Sequence, residues 1–220
     1  MTFTLAATAF VLILTHPTLG LGPDEKTVLN VTVYYEALCG DSIRFVNQQL
    51  APSYEGLKEH LKIDFVPYGK AEQSRNEKTG EWSFDCQHGP DECKGNRDQA
   101  CALDAINKNE DAAKRQDLSV NLVACVMSST NPATAVTRCA KTVKLSVETQ
   151  KLLGECQESR TANELLAQHG VTTMRLNPIL TFVPTITVNG QAETEARNHF
   201  RRFVCGQIPD NEKPDSCKST

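Results

Sequence analysis

Cys39 and Ser42, three residues apart, carry the most specific chemical signal in this chain. Cys39-Gly40-Asp41-Ser42 follows Leu29–Glu36, a run rich in β-branched and aromatic residues. It precedes Ile43, Phe45, Val46 and Leu50, which recur at helical spacing. A cysteine between a strand and a helix is presented at the edge of the sheet and faces the positive end of the helix dipole, a setting that favours the thiolate. The thiolate is the form that attacks disulfides. Asp41 in the same turn helps the helix and opposes the thiolate. A second cysteine at position 42 would close and release a bridge within the chain, and here an alcohol stands instead. Cys39 is therefore expected to form a mixed disulfide that an external small thiol must resolve, with Ser42 hydrogen-bonding the thiolate. The competing reading ties Cys39 into an internal bridge, where it is inert.

Eight further cysteines, at 86, 93, 101, 125, 139, 156, 205 and 217, bring the total to nine. So many thiols fit an oxidising compartment, and the odd number leaves at least one outside any internal pairing. The N-terminus agrees. Phe3–Thr15 is an apolar run too short to cross a bilayer, and small residues follow at Thr18-Leu19-Gly20. Residues 1–20 read as a signal peptide and 21–220 as the mature chain, with no other stretch apolar enough to span a membrane. Asn30-Val31-Thr32 is a glycosylation sequon, which makes Asn30 a candidate glycan site.

Elements that could position Cys39 follow from patterning. Leu29–Glu36 and Leu61–Pro67 read as strands flanking a helix that Pro52 ends or bends, a βαβ unit within an α/β fold. From about residue 70 to 174 the chain is polar and cysteine-rich, with helical patterns at Asn96–Ile106, Ala133–Val143 and Ala162–Gln168. This stretch reads as a disulfide-rich helical insertion within one domain. Phe182–Val188 returns to strand character, Asn189-Gly190 marks a hairpin turn, and Ala196, Phe200, Phe203 and Val204 predict a terminal helix docked on the sheet.

The segment Cys86-Gln-His-Gly-Pro-Asp-Glu-Cys93-Lys-Gly-Asn-Arg-Asp-Gln-Ala-Cys101 resembles the signature C-Q-H-G-x-x-E-C-x-x-N-x-x-x-x-C of the gamma-interferon-inducible lysosomal thiol reductases. Tyr34–Cys39, Val66-Pro67-Tyr68-Gly69, Val183-Pro184 and Val188-Asn189-Gly190 are similar to further segments of that family. The resemblance implies a thioredoxin-like fold with a disulfide-rich helical insertion and thiol–disulfide chemistry on protein substrates in a secreted or lysosomal setting. It also implies that Pro184 is cis and that Val183 presents its backbone to substrate. The family's active site is Cys-x-x-Cys, so Ser42 is the departure. With Cys39 as the free thiol, the other eight cysteines suffice for four structural bridges.

His88 in this signature could act as a base near Cys39; the plainer reading is that Gln87, His88, Gly89 and Asn96 shape a tight disulfide-bounded loop. Cys86, His88, Cys93 and Cys101 have the ligand types of a zinc site, but oxidation favours bridges, and neither a metal nor another cofactor is expected. The net charge of −4, from 23 basic and 27 acidic residues evenly mixed, argues against a nucleic-acid partner. Arg197, Arg201 and Arg202 fit a solvated helix face. Three functions compete. The first is a single-cysteine oxidoreductase acting on disulfide-containing proteins. The second is a redox-inactive secreted binding protein with an unidentified protein partner, host defence being one setting. The third is a dimer joined through the odd cysteine.

Overall fold

The computed structural model describes residues 26–218, so the signal-peptide reading falls outside the described residues. Strand β1 (Leu29–Tyr35) leads through a turn into α1 (Gly40–Phe45), a π-helical turn (Val46–Leu50) and α2 (Ala51–Leu57), then returns as β2 (Leu61–Pro67). The helix thus runs past Pro52. Proline has no amide proton to give the carbonyl four residues back, and the wider turn just before it, where Ala51 N–H reaches Val46 O, accommodates that loss. β1 and β2 pair in parallel, Leu29 opposite Leu61 through Tyr35 opposite Pro67.

The sheet has the order β2-β1-β5-β6, with β5 (Thr185–Val188) antiparallel to β1, and β6 (Gln191–Ala192) antiparallel to β5. Asn189 and Gly190 both take positive φ, 49° and 82°, as a two-residue hairpin turn requires. The strand read at Phe182–Val188 begins only at Thr185, because Phe182–Pro184 forms a loop with a cis Val183–Pro184 bond. The terminal helix is two pieces, α8 (Thr194–Asn198) and α9 (Phe200–Gln207), which meet at His199.

Between β2 and β5 lie a hairpin, β3 (Glu72–Arg75) and β4 (Trp82–Asp85), and five helices: α3 (Pro90–Asn109), α4 (Arg115–Met127), α5 (Val136–Thr142), α6 (Val147–Gln157) and α7 (Thr161–Met174). β3 is polar throughout, and β4 offers one short alternation, Trp82-Ser83-Phe84-Asp85, whose Phe84 packs against a smaller cluster around Tyr34, Val66 and Tyr68.

Two large apolar cores result. In the first, Val31, Val33 and Tyr35 of β1 and Ile186 of β5 pack with Phe45, Leu50 and Leu57 and with Phe200 and Val204 of the terminal helix. Phe45 and Phe200 meet edge to face at 5.8 Å, joining the first and last helices. Each such side chain contributes roughly 1.5–3 kcal/mol by leaving water. The second core lies among α3–α7, around Ile106, Leu122, Val136 and Leu153. The Cys101–Cys156 bridge closes a separation of 55 residues across it, and the chain-entropy model assigns such a loop about 4 kcal/mol. Cys125–Cys139 joins α4 to α5, and Cys205–Cys217 ties the C-terminal segment to α9.

Candidate functional site

Cys39 caps α1 in an extended backbone conformation (φ −67°, ψ 119°), and its carbonyl accepts the amide proton of Ile43 at 2.9 Å. It is the free cysteine among the described residues; the other eight form the bridges above and Cys86–Cys93. Its Sγ lies 3.9 Å from the carbonyl oxygen of Val183. That carbonyl immediately precedes the cis proline, and Thr185 Oγ1 donates to Phe182 O at 2.7 Å to hold the loop in place. Cys39 and Val183, 144 positions apart in the sequence, thus form one site.

Cys39 is less open than a position at the edge of a sheet would make it. Cys39 follows the end of an inner strand, Val183 of the loop before β5 lies against it, and it is 9% exposed. Beside it runs a groove of about 220 Å³ bordered by Asp41, Arg44, Gln49, Pro184 and Arg197. Asp41 faces solvent and pairs with Arg44 at 2.6 Å.

Ser42 is fully buried, and its Oγ accepts the amide proton of Glu36 at 3.3 Å. Among the described residues it makes no hydrogen bond to Cys39, contrary to the sequence reading. The hydroxyl is used inward, to fasten the end of β1.

The signature stretch does not merely shape its own loop. Cys86–Cys93 closes the turn before α3, and the residues that follow reach the segment leading to Cys39. Asn96 Oδ1 accepts the amide proton of Ala37 at 2.8 Å. Tyr35 donates its hydroxyl proton to Gln99 Oε1 at 2.8 Å, both residues fully buried. Gly95 lies so close to Ala37 that a Cβ there would stand 2.8 Å from the Ala37 Cβ.

His88 faces carboxylates and not the sulfur: its Nδ1 is 2.5 Å from Glu92 Oε2 and 3.6 Å from Glu36 Oε2. Burial pushes the Glu36 carboxyl above its ordinary range; the Glu92 carboxylate adds to this, and the Lys70 amide and His88 oppose it. Neither Glu36 nor Glu92 was singled out in the sequence, although Glu92 is a fixed position of the signature and Glu36 lies three residues before Cys39. Bridges engage Cys86, Cys93 and Cys101, which removes the thiolates that a zinc reading with His88 needed. Val183 is buried, and its carbonyl faces the Cys39 sulfur. Asn30 is exposed on β1. No helix of the described residues is long and apolar enough to cross a membrane.

Comparison with known proteins gives this arrangement a context. Residues 30–143 match the family model described as gamma interferon inducible lysosomal thiol reductase (GILT). A gamma-interferon-inducible lysosomal thiol reductase-like protein of Anopheles gambiae is 34% identical over 187 residues, covering 81% of this chain and 76% of its own length. The gamma-interferon-inducible lysosomal thiol reductase of Carassius auratus is 30% identical over 193 residues, with coverage of 86% and 72%. Among solved structures, DsbA of Chlamydia trachomatis superposes with a TM-score of 0.57 over 88% of this chain and 95% of its own, at 14% identity. That likeness is one of fold, the thioredoxin-like architecture.

Proposed function

The chain belongs to the gamma-interferon-inducible lysosomal thiol reductase family, and from that premise we propose that it is a thiol–disulfide oxidoreductase acting on protein disulfides through Cys39 alone. The observation that carries this reading is a free cysteine at a strand-to-helix turn, 3.9 Å from the carbonyl before a cis proline. Eight other cysteines are consumed in bridges, so none is left to compete for the role.

The Cys39 thiolate attacks one sulfur of a substrate disulfide. The substrate S–S bond breaks, a Cys39–substrate disulfide forms, and the second substrate sulfur leaves as a thiolate that takes up a proton. Ser42 cannot displace the substrate, because oxygen does not form the second bridge. An external small thiol such as glutathione attacks the Cys39 sulfur, freeing the reduced substrate, and a second thiol molecule regenerates Cys39. Two external thiols are oxidised for each substrate disulfide reduced. The backbone beside Pro184 supplies the surface along which an extended substrate segment lies. The four bridges suit passage through an oxidising secretory compartment, consistent with a secreted or lysosomal protein.

Reduction of a fluorogenic protein disulfide by glutathione tests the proposal. The chain should accelerate it, Cys39→Ser should abolish the acceleration, and mass spectrometry should find the mixed disulfide on Cys39. Equal activity in the Cys39→Ser protein overturns it. The enclosure of Cys39 favours a second reading, a redox-inactive secreted binding protein. On that reading the thiol resists alkylation in the folded protein, and partner binding is indifferent to Cys39→Ser.

A further inference from the structure

Beneath the Cys39 turn three ligand-type side chains converge from separate parts of the chain. Glu36 follows β1, His88 lies in the bridged loop before α3, and Glu92 is in the first turn of α3. One oxygen of each carboxylate is pinned by a backbone amide: Lys70 N–H to Glu36 Oε1 at 2.7 Å, and His88 N–H to Glu92 Oε1 at 3.1 Å. The remaining oxygens, Glu36 Oε2 and Glu92 Oε2, and the His88 Nδ1 atom all lie within 4.8 Å of one another.

This set is incomplete as it stands. Both glutamates are fully buried, and among the described residues His88 is their only ion-pair partner. His88 Nδ1 meets Glu92 Oε2 at 2.5 Å and leaves Glu36 Oε2, at 3.6 Å, without a hydrogen-bond partner among the described residues. A buried carboxyl oxygen without a partner is costly.

We infer that Glu36, His88 and Glu92 bind one divalent transition-metal ion, with zinc as the ion their chemistry suits. Two carboxylate oxygens and one imidazole nitrogen form a donor set that zinc accepts, and ligands about 2.1 Å from an ion stand roughly 3 to 4 Å apart. The 3.6 Å spacing already has that size. The shorter His88–Glu92 spacing is that of a hydrogen bond, and it opens when the ion takes the place between the two atoms. The amides on the outer oxygens hold each carboxylate with its inner oxygen turned to the common point, the kind of support that orients metal ligands. The side chain of His88 is 43% exposed and gives the ion an entry path and a place for water. Binding releases a proton, so affinity falls as the medium becomes more acidic.

The experiment titrates Zn²⁺ into the disulfide-intact chain carrying Cys39→Ser and no histidine tag, by calorimetry near neutral pH. Removing the free thiol keeps it from binding zinc and makes the result independent of the redox function proposed above. One ion per chain is expected, with proton release that scales with buffer ionisation, and with affinity lowered at least about tenfold by Glu36→Gln and by His88→Ala. His88→Ala alters a half-exposed ring, so it remains informative if the buried Glu36→Gln variant does not fold. Co²⁺ should show the visible absorption of nitrogen and oxygen ligation, lost in the same variants. Absence of saturable heat, or equal affinity in the His88→Ala protein, overturns the inference and leaves the triad as a holder of protons.

Discussion

Asn96 Oδ1 accepts the amide proton of Ala37 at 2.8 Å, so a helix 59 residues downstream holds the turn that carries Cys39. The signature stretch acts on the site mainly through such backbone and packing contacts, since its cysteines are bridged and its histidine faces carboxylates. Positioning residues of this kind have consequences that differ from those of the sulfur itself.

Asn96→Ala leaves the buried Ala37 amide without an acceptor. A loss of about 1–3 kcal/mol is expected in denaturant unfolding. Alkylation of Cys39 in the folded state should become faster, because the turn above it loosens. A change in stability with alkylation kinetics unaltered would show that the turn is held by other contacts.

Gly95→Ala places a methyl group 2.8 Å from the Ala37 Cβ and 3.1 Å from the Ala133 Cα. Part of that crowding is against backbone, so overpacking should cost about 1–3 kcal/mol. Adding Ala37→Gly removes the nearer contact. Thermal unfolding of the two single variants and the double should therefore be non-additive, with the double less destabilised than the sum.

Ser42→Cys places a sulfur at the second active-site position. The oxidised variant should form a bridge between Cys39 and the introduced thiol and lose its alkylatable sulfur. Its disulfide-reducing turnover should exceed the parent's at the same glutathione concentration. Peptide mapping under non-reducing conditions reads the first outcome and a turbidity assay the second. Because Ser42 is fully buried and fastened to Glu36 N–H, modest destabilisation should accompany the gain.

His169, on α7, has its pKa lowered to about 4 by burial, which outweighs the nearby Asp104 carboxylate. Unfolded, it titrates near 6.5. Between those values the unfolded chain binds the extra proton, so this residue's contribution is complete above roughly pH 6.5 and is lost as pH falls toward 4. Its full span is roughly 3 kcal/mol. The raised Glu36 carboxyl acts in the opposite direction, favouring the folded state in acid. His169→Gln should flatten the acid limb of a stability–pH curve measured by urea unfolding; an unchanged limb would assign the loss to other groups.

Local chemistry and pattern were sufficient for much of this molecule. Alternating β-branched residues mark β1 and β2 in their observed positions, Asn189-Gly190 dictates its turn, and nine cysteines with one at a strand-to-helix turn single out Cys39. These features are legible because each depends on neighbours within a few residues. The β3–β4 hairpin was not, since β3 is polar throughout and the alternation of β4, Trp82 to Asp85, is only four residues long. Nor was the pairing of the eight bridged cysteines, because spacing along the chain does not report which sulfurs approach within bonding distance.

Tertiary structure alone decided what surrounds Cys39. The return of the chain at Val183 brings a carbonyl to the thiol, and Ser42 turns inward to Glu36. The meeting of Glu36, His88 and Glu92 is of the same kind: two carboxylates far apart in the sequence share an imidazole only because α3 packs against the end of β1. Sequence set the types of group available, and burial and approach distance, which exist only in the folded chain, set what each group can do.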